Sequence, residues 1–308
     1  MKKINCYTTS VSNLLNYIGI SAPEDMLLCA DNFLDLECST QYDAIYADVI
    51  GIVNRVLQGQ NIQLGSTEIY SYDHCKRIFD SFGGVMLKVD CSKLTYSPLF
   101  TGALTSQRNH YIFVTQVYNQ QIFVIDEYIP TMVQSSFAGW LSVSDYFFEG
   151  VTAYYVLNSQ RTFDLSKSVI KENLLSSLNN ALCNNRNKNK YVQFYDNISR
   201  LNILNRELSA KKVFLEMAAT VGNGGILPTR LALTSLLGRC LDSQAITHEI
   251  EDLNEICRYY SVLSKVLLKL SFRISACDIN YVLDTIEKLS ALEERAFTNC
   301  KNTLNTRS

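Results

Sequence analysis

Two rhythms of apolar positions divide the chain. Up to about residue 158 the apolar residues come in short runs rich in β-branched and aromatic side chains, at 84–89, 111–117, 122–125 and 152–157. Runs of this kind predict half-buried strands. Beyond about residue 165 the spacing changes to steps of three and four. Ile246, Ile250, Leu253, Ile256, Tyr260, Leu263 and Leu267 form one such stripe, and Ile279, Val282, Leu283, Ile286 and Leu289 another. A third stripe is read through Val192, Tyr195, Ile198, Leu201, Leu204 and Leu208. These are the core-facing positions of helices. The pattern predicts an α+β segment at 1–160 and an all-helical segment at 161–308, with the boundary near residues 159–164. The polar run at 184–190 reads as an exposed helix–helix loop.

The opening is the most legible stretch. Val11, Leu14, Leu15 and Ile18 share one helical face behind Cys6, and Gly19 supplies the stop. Ser21, Pro23 and Glu24 have the spacing of a capping box, which predicts a second helix there. Cys6 is thus expected at the N-terminal tip of the first helix.

Charge sharpens the division. Residues 1–158 hold 8 Lys and Arg against 15 Asp and Glu, whereas residues 161–212 hold 10 against 4. The whole chain has a net charge of −2, so a general nucleic-acid binder is not expected. Neither a membrane-spanning run nor an apolar signal core is found, which predicts a soluble, cytosolic protein. The ten cysteines lie 9 to 92 residues apart, and His74, His110 and His248 are scattered. No metal site, cofactor motif or disulfide framework is expected from these spacings. Cys29, Cys75, Cys183, Cys257 and Cys277 read as small core hydrophobes.

Cys6 is the exception by position, because unpaired N–H groups at a helix start favour an anion and so a thiolate. A thiolate nucleophile needs a base, and the base needs an orienting group. His110 begins the strand at 111–117, a polar turn follows at 118–121, and the return strand ends at Asp126. Across a hairpin the start of one strand lies beside the end of the next, which makes His110 and Asp126 neighbours. A slip of one residue would separate them. His74 falls in a predicted helix, and His248 reads as part of a solvated face. The glycine-rich stretch at 220–230 lacks the Gly-Lys-Ser/Thr of a phosphate loop and reads as a tight turn between helices.

Asn5-Cys6, the helix behind it with Leu14, Leu15 and Gly19, and the run from His110 to Asp126 resemble the papain-like N-terminal domain of the butirosin biosynthesis protein H family. That domain is similar in turn to bacteriocin-processing cysteine peptidases. The resemblance covers residues 4–157 and implies a compact cysteine-protease fold. It implies Cys6 as nucleophile, His110 as general base and acid, and Asp126 as the residue that orients His110. The peptidases carry a glutamine upstream of the cysteine as an oxyanion donor, and none stands in residues 1–5. Asn5 and the Cys6 N–H are the substitutes considered. Glu127 follows the carboxylate where the peptidases usually have proline, so Glu127 is a second candidate orienter.

The reading is a papain-like α+β domain followed by a helical domain. It implies a cysteine-dependent acyl-transfer enzyme that takes its acyl group from a carrier-protein thioester in specialised-metabolite biosynthesis. The acyl group then passes to a small-molecule amine, to water, or to a carbanion that closes a ring. The expected partner is an acyl carrier protein or its phosphopantetheine-linked substrate, and the basic segment 161–212 is one face that could meet it. The alternatives are a leader-peptide peptidase and a non-catalytic binding protein on the same fold.

Overall fold

The computed structural model describes residues 3–38, 44–96, 109–129, 136–158, 162–203, 208–222, 224–242 and 246–306. The chain forms two compact units, one of 1–27 with 54–164 and the other of 28–53 with 165–308. The expected break at 159–164 falls at its distal edge. The single boundary is corrected, however, because residues 28–53 belong to the helical unit.

The first unit carries an antiparallel sheet of six strands. Their order is β3 (Gln63–Ile69), β8 (Val151–Asn158), β4 (Val85–Asp90), β5 (Asn109–Tyr118), β6 (Gln121–Asp126) and β7 (Phe137–Ser142). The four strand runs read from sequence are β4, β5, β6 and β8. One face packs Val85, Leu87, Val89, Ile112, Val114 and Val124 against Cys75 and Ile78 of α3 (Tyr72–Phe82) and Phe147 and Phe148 of α4 (Asp145–Phe148). The other face receives α1 (Cys6–Tyr17), whose Tyr7 and Tyr17 stack edge-on against Tyr111 and Phe113.

Local chemistry sets both ends of α1. Asn5 Oδ1 accepts from the Thr8 N–H at 2.8 Å, the work of an N-cap. At the other end Gly19, at φ +86°, donates to Asn16 O, and Ile20 donates to Leu15 O, which is a Schellman stop. The second helix expected at Ser21–Glu24 does not form; a turn and a short 3-10 segment, Met26–Leu28, stand there. Glu24 does not cap its own segment. It accepts from Ile4 N–H at 2.9 Å and Thr9 Oγ1 at 2.8 Å, tying this turn to the start of α1.

The second unit is built from α5 (Lys167–Leu182), α6 (Arg186–Ile203), α7 (Leu208–Val221), α8 (Ile226–Cys240), α9 (Thr247–Phe272) and α10 (Ala276–Thr306). The stripes on α9 and α10 are largely buried as read. On α6 the phase is corrected: Tyr191, Phe194 and Ile198 are buried, while Val192 is exposed. Leu204 lies outside the described residues. The polar run is shorter as a turn than expected, since α6 begins at Arg186 and Asn187 is buried. Cys183 and Cys277 are exposed, not core, because each lies at a helix end. The glycine-rich stretch is the tight turn between α7 and α8, where a Cβ at Gly225 would come within 2.3 Å of Thr220 O.

Residues 28–53, with the small ladder β1 (Glu37–Cys38) and β2 (Ile45–Tyr46), are threaded into these helices. Leu34 N–H donates to Ser177 Oγ, and Leu34 O accepts from Asn187 Nδ2 and Arg230 Nη1. Arg230 is fully buried. Its Nε donates to Glu293 Oε1 at 2.6 Å and its Nη2 to Oε2 at 3.0 Å, and Tyr260 also donates to that carboxylate. Burial disfavours the guanidinium charge, but the Glu293 carboxylate outweighs it and holds the proton on Arg230 more firmly than usual.

Arg230→Met should therefore destabilise the helical unit by about 3–5 kcal/mol, because it strands a buried carboxylate. Adding Glu293→Leu should recover most of that loss. Urea unfolding followed by circular dichroism checks both, and equal stability of the single and double variants would contradict the account.

Candidate active site

The site lies at the end of the sheet where β5 begins and β6 ends. His110 sits opposite Val89 on β4, and Asp126 sits opposite Phe137 on β7. The β5–β6 turn has Asn119 at φ +49° and Gln120 at φ +56°, the twisted two-residue turn that suits a hairpin. From Tyr118–Gln121 a regular ladder would set Asp126 opposite Phe113. Asp126 and His110 would then project from opposite faces. The register instead shifts between Val114 and Gln116, so that Phe113 pairs with Ile125. One step further along this register Asp126 faces Ile112 and lies diagonal to His110 on the same face. The bulge brings the pair together.

The resulting contact is short and dry. His110 Nε2 lies 2.8 Å from Asp126 Oδ2, and the residues are only 3% and 2% exposed. Asp126 Oδ2 also accepts from Tyr96 Oη at 2.6 Å, and Oδ1 accepts from the Tyr128 N–H at 3.2 Å. Tyr96 is held by a parallel stack on Phe137, with ring centroids 4.1 Å apart. With Nε2 engaged by Asp126, Nδ1 is the nitrogen left for the hydrogen bond between His110 and the Cys6 side chain. The structure thus brings Cys6, His110 and Asp126 into one connected set.

Electrostatics follows from that geometry. Burial opposes a charge on His110, but the Cys6 thiolate and the bonded Asp126 outweigh it and raise the imidazole to about 10. The direction favours the protonated imidazole. Three phenols feel the Cys6 charge: Tyr96, Tyr111 and Tyr128 are all raised, chiefly by burial, and stay neutral hydrogen-bond donors.

The other candidates separate cleanly. Glu127 is bound by Lys3 at 2.6 Å, and this contact lowers it against the effect of burial; it faces Lys3, while Asp126 takes His110. Asn5 is the N-cap, with Oδ1 committed to Thr8. His74 lies in the first turn of α3 and stacks on Tyr70. Burial pushes its neighbour Cys75 up to about 12, leaving an inert thiol. His248 is solvent-exposed and paired with Glu251 at 3.7 Å. Sequence reasoning missed Tyr96, since a lone tyrosine in a loop gives no sign of its target. It also took Glu24 for a cap of its own helix. Among the described residues no group of three or more His, Cys, Asp or Glu is placed to hold a metal ion, and no helix is long and apolar enough to cross a membrane.

Compared with known proteins, the chain matches no protein-family model and no curated protein.

The source of the His110 shift can be measured. Cys6→Ala removes the largest contribution that raises it, while burial, which lowers it, remains. His110 should therefore release its proton at lower pH in Cys6→Ala than in the parent protein, where it stays protonated through pH 8. Proton NMR of the imidazole Cε1–H reads both titrations, and identical curves would rule out the ion pair.

Proposed function

We propose that the protein is a cysteine-dependent acyltransferase working through a Cys6 acyl-enzyme. The observation that carries this reading is the hydrogen-bonded series Cys6–His110–Asp126, with the imidazole raised by the thiolate beside it. A bound base and a fixed orienter are what a thiol needs for nucleophilic catalysis.

The proposed sequence is ping-pong. The Cys6 thiolate attacks the carbonyl of a thioester, and the Cys6 N–H in the first turn of α1 meets the developing oxyanion. Asn5 serves this step by capping the helix that presents that N–H. As the tetrahedral adduct collapses, the C–S bond to the leaving thiol breaks and His110 gives that sulfur its proton. An amine then attacks the acyl-enzyme, His110 takes the amine proton, and Cys6 leaves as thiolate. Asp126, held by Tyr96 and Tyr128, keeps Nε2 engaged so that Nδ1 faces the reaction throughout. A thioester donor is favoured because its leaving group needs less oxyanion stabilisation than an amide does. The family resemblance points to a carrier-protein thioester and a specialised-metabolite amine as the substrate pair.

Incubation with an acyl thioester should add the acyl mass to Cys6, as read by intact-protein mass spectrometry, and Cys6→Ala should abolish the adduct. Asp126→Asn should slow turnover by roughly 10²–10⁴-fold, whereas Glu127→Gln should leave it within a few-fold. A Cys6-dependent cut of a leader peptide with no thioester adduct would establish the peptidase alternative instead.

A further inference from the structure

Acyl transfer through Cys6 needs hydrogen-bond donors for the carbonyl oxygen as it becomes an oxyanion, and the Cys6 N–H is one. Most side-chain donors around the thiol are committed elsewhere. Thr8 Oγ1 donates to Asn5 Oδ1 at 3.0 Å, Thr9 Oγ1 to Glu24 Oε2 at 2.8 Å, and Ser10 Oγ to Tyr111 O at 3.0 Å. Tyr7 gives its hydroxyl to Asn54 Oδ1 of α2 (Val49–Gly59) at 3.1 Å. Of the three phenols that feel the Cys6 charge, Tyr96 donates to Asp126 Oδ2 and Tyr111 is hydrogen-bonded to Tyr154. The third is Tyr128. It is half-buried, and among the described residues its hydroxyl has no hydrogen-bond partner.

The chain holds this phenol beside the nucleophile. Tyr128 is the second residue after Asp126, and its N–H donates to Asp126 Oδ1 at 3.2 Å, while His110 takes Oδ2. Glu127 between them reaches Lys3 at 2.6 Å, so the segment leaving β6 passes the head of α1. Two anions there act on the phenol, the Cys6 thiolate and the Glu24 carboxylate. Glu24 Oε2 in turn accepts from the Ile4 N–H at 2.9 Å, two residues before Cys6. Burial and these two charges keep the phenol protonated, which makes it a donor and not a base. The hydrogen bond to the Cys6 side chain comes from His110, so the Tyr128 hydroxyl is left for an oxygen that arrives with the substrate. An interaction made only in the transition state is the kind that accelerates the chemical step.

We propose that the Tyr128 hydroxyl is the side-chain oxyanion donor that residues 1–5 do not supply. The proposal rests on the acyl-enzyme reading and adds a catalytic residue to it. As Cys6 Sγ bonds to the carbonyl carbon, the π electrons move onto the oxygen, which accepts from the Cys6 N–H and from Tyr128 Oη. The phenol keeps its proton. When the oxygen re-forms its double bond, the bond to the leaving sulfur breaks and that sulfur takes its proton from His110.

Two reagents separate this role from a part in shaping the site. S-phenyl thioacetate acetylates Cys6 through an oxyanion, whereas iodoacetamide alkylates it by displacement at a saturated carbon and forms none. Tyr128→Phe keeps the ring and removes the donor. Its Cys6 acetylation should slow roughly 10²–10³-fold, the value of one oxyanion donor, while alkylation stays within about twofold of the parent rate. Mass spectrometry of the Cys6 peptide over time reads both reactions. Acetylation at the parent rate would overturn the proposal. Equal loss of both reactions would also overturn it, since Tyr128 would then act on the thiol or the fold and not on the oxyanion. The parent protein tests the acyl-enzyme separately. If its Cys6 is alkylated but never acetylated by a thioester, the acyl-enzyme reading falls and takes this role with it. If it is acetylated and Tyr128→Phe matches it, only the role of Tyr128 falls.

Discussion

Asp126 reaches His110 because β5 carries one residue more than β6 between the turn and the site. A sheet has a period of two, so a single extra residue decides which face each later side chain occupies. The shift at Val114–Gln116 serves the core as well, since it places Val117 and Ile122 among the residues buried against α3 and α4. The same irregularity therefore satisfies the hydrophobic side of the sheet and assembles the polar pair at its end. Everything proposed about Cys6 depends on this offset, because the imidazole is held toward the thiol only while Asp126 engages its far nitrogen.

The second requirement is a fixed position for α1. Its N-terminus is held from three directions: the Asn5 cap, the Glu24 carboxylate on Ile4 and Thr9, and Tyr7 against Tyr111. Glu24 is buried at 7% exposure, yet it stands among N–H and O–H donors, and Lys3 is 3.6 Å away. A buried carboxylate satisfied in this way is a rigid anchor. A helix pinned like this presents its first residue reproducibly, which nucleophilic chemistry demands.

Cys6, His110 and Asp126 were legible in the sequence because each is marked by a local signal: a helix start, a strand start and a strand end. The elements around them were legible for the same reason, as the α1 stop at Gly19 and the stripe on α9 illustrate. What escaped was whatever depends on distant partners. The bulge leaves no composition cue, and Tyr96 finds its role only through Phe137, a strand away. Glu24 obeys a capping pattern that its tertiary donors override. The α6 stripe was misphased by one residue, because Val192 and Tyr195 fit the same spacing as the buried Tyr191 and Phe194, and only the distant partner of Tyr191, the Tyr260 hydroxyl, distinguishes the two faces.

Residues 28–53 lie between two segments of the sheet-bearing unit in the chain but take their partners from the helical one. During synthesis they leave the ribosome more than a hundred residues before Ser177, Asn187 and Arg230, which bond the backbone of Leu34. Until α6 exists the Leu34 carbonyl has neither of these donors, until α8 exists it lacks Arg230, and the loop to be closed is long. The sheet-bearing unit is interrupted by this waiting segment, so its two halves must find each other across a stretch that is not yet placed. Folding of the sheet-bearing unit is in this way tied to completion of the helical one, and a chain stopped at residue 164 would carry a strand of another unit's core with nothing to bury it.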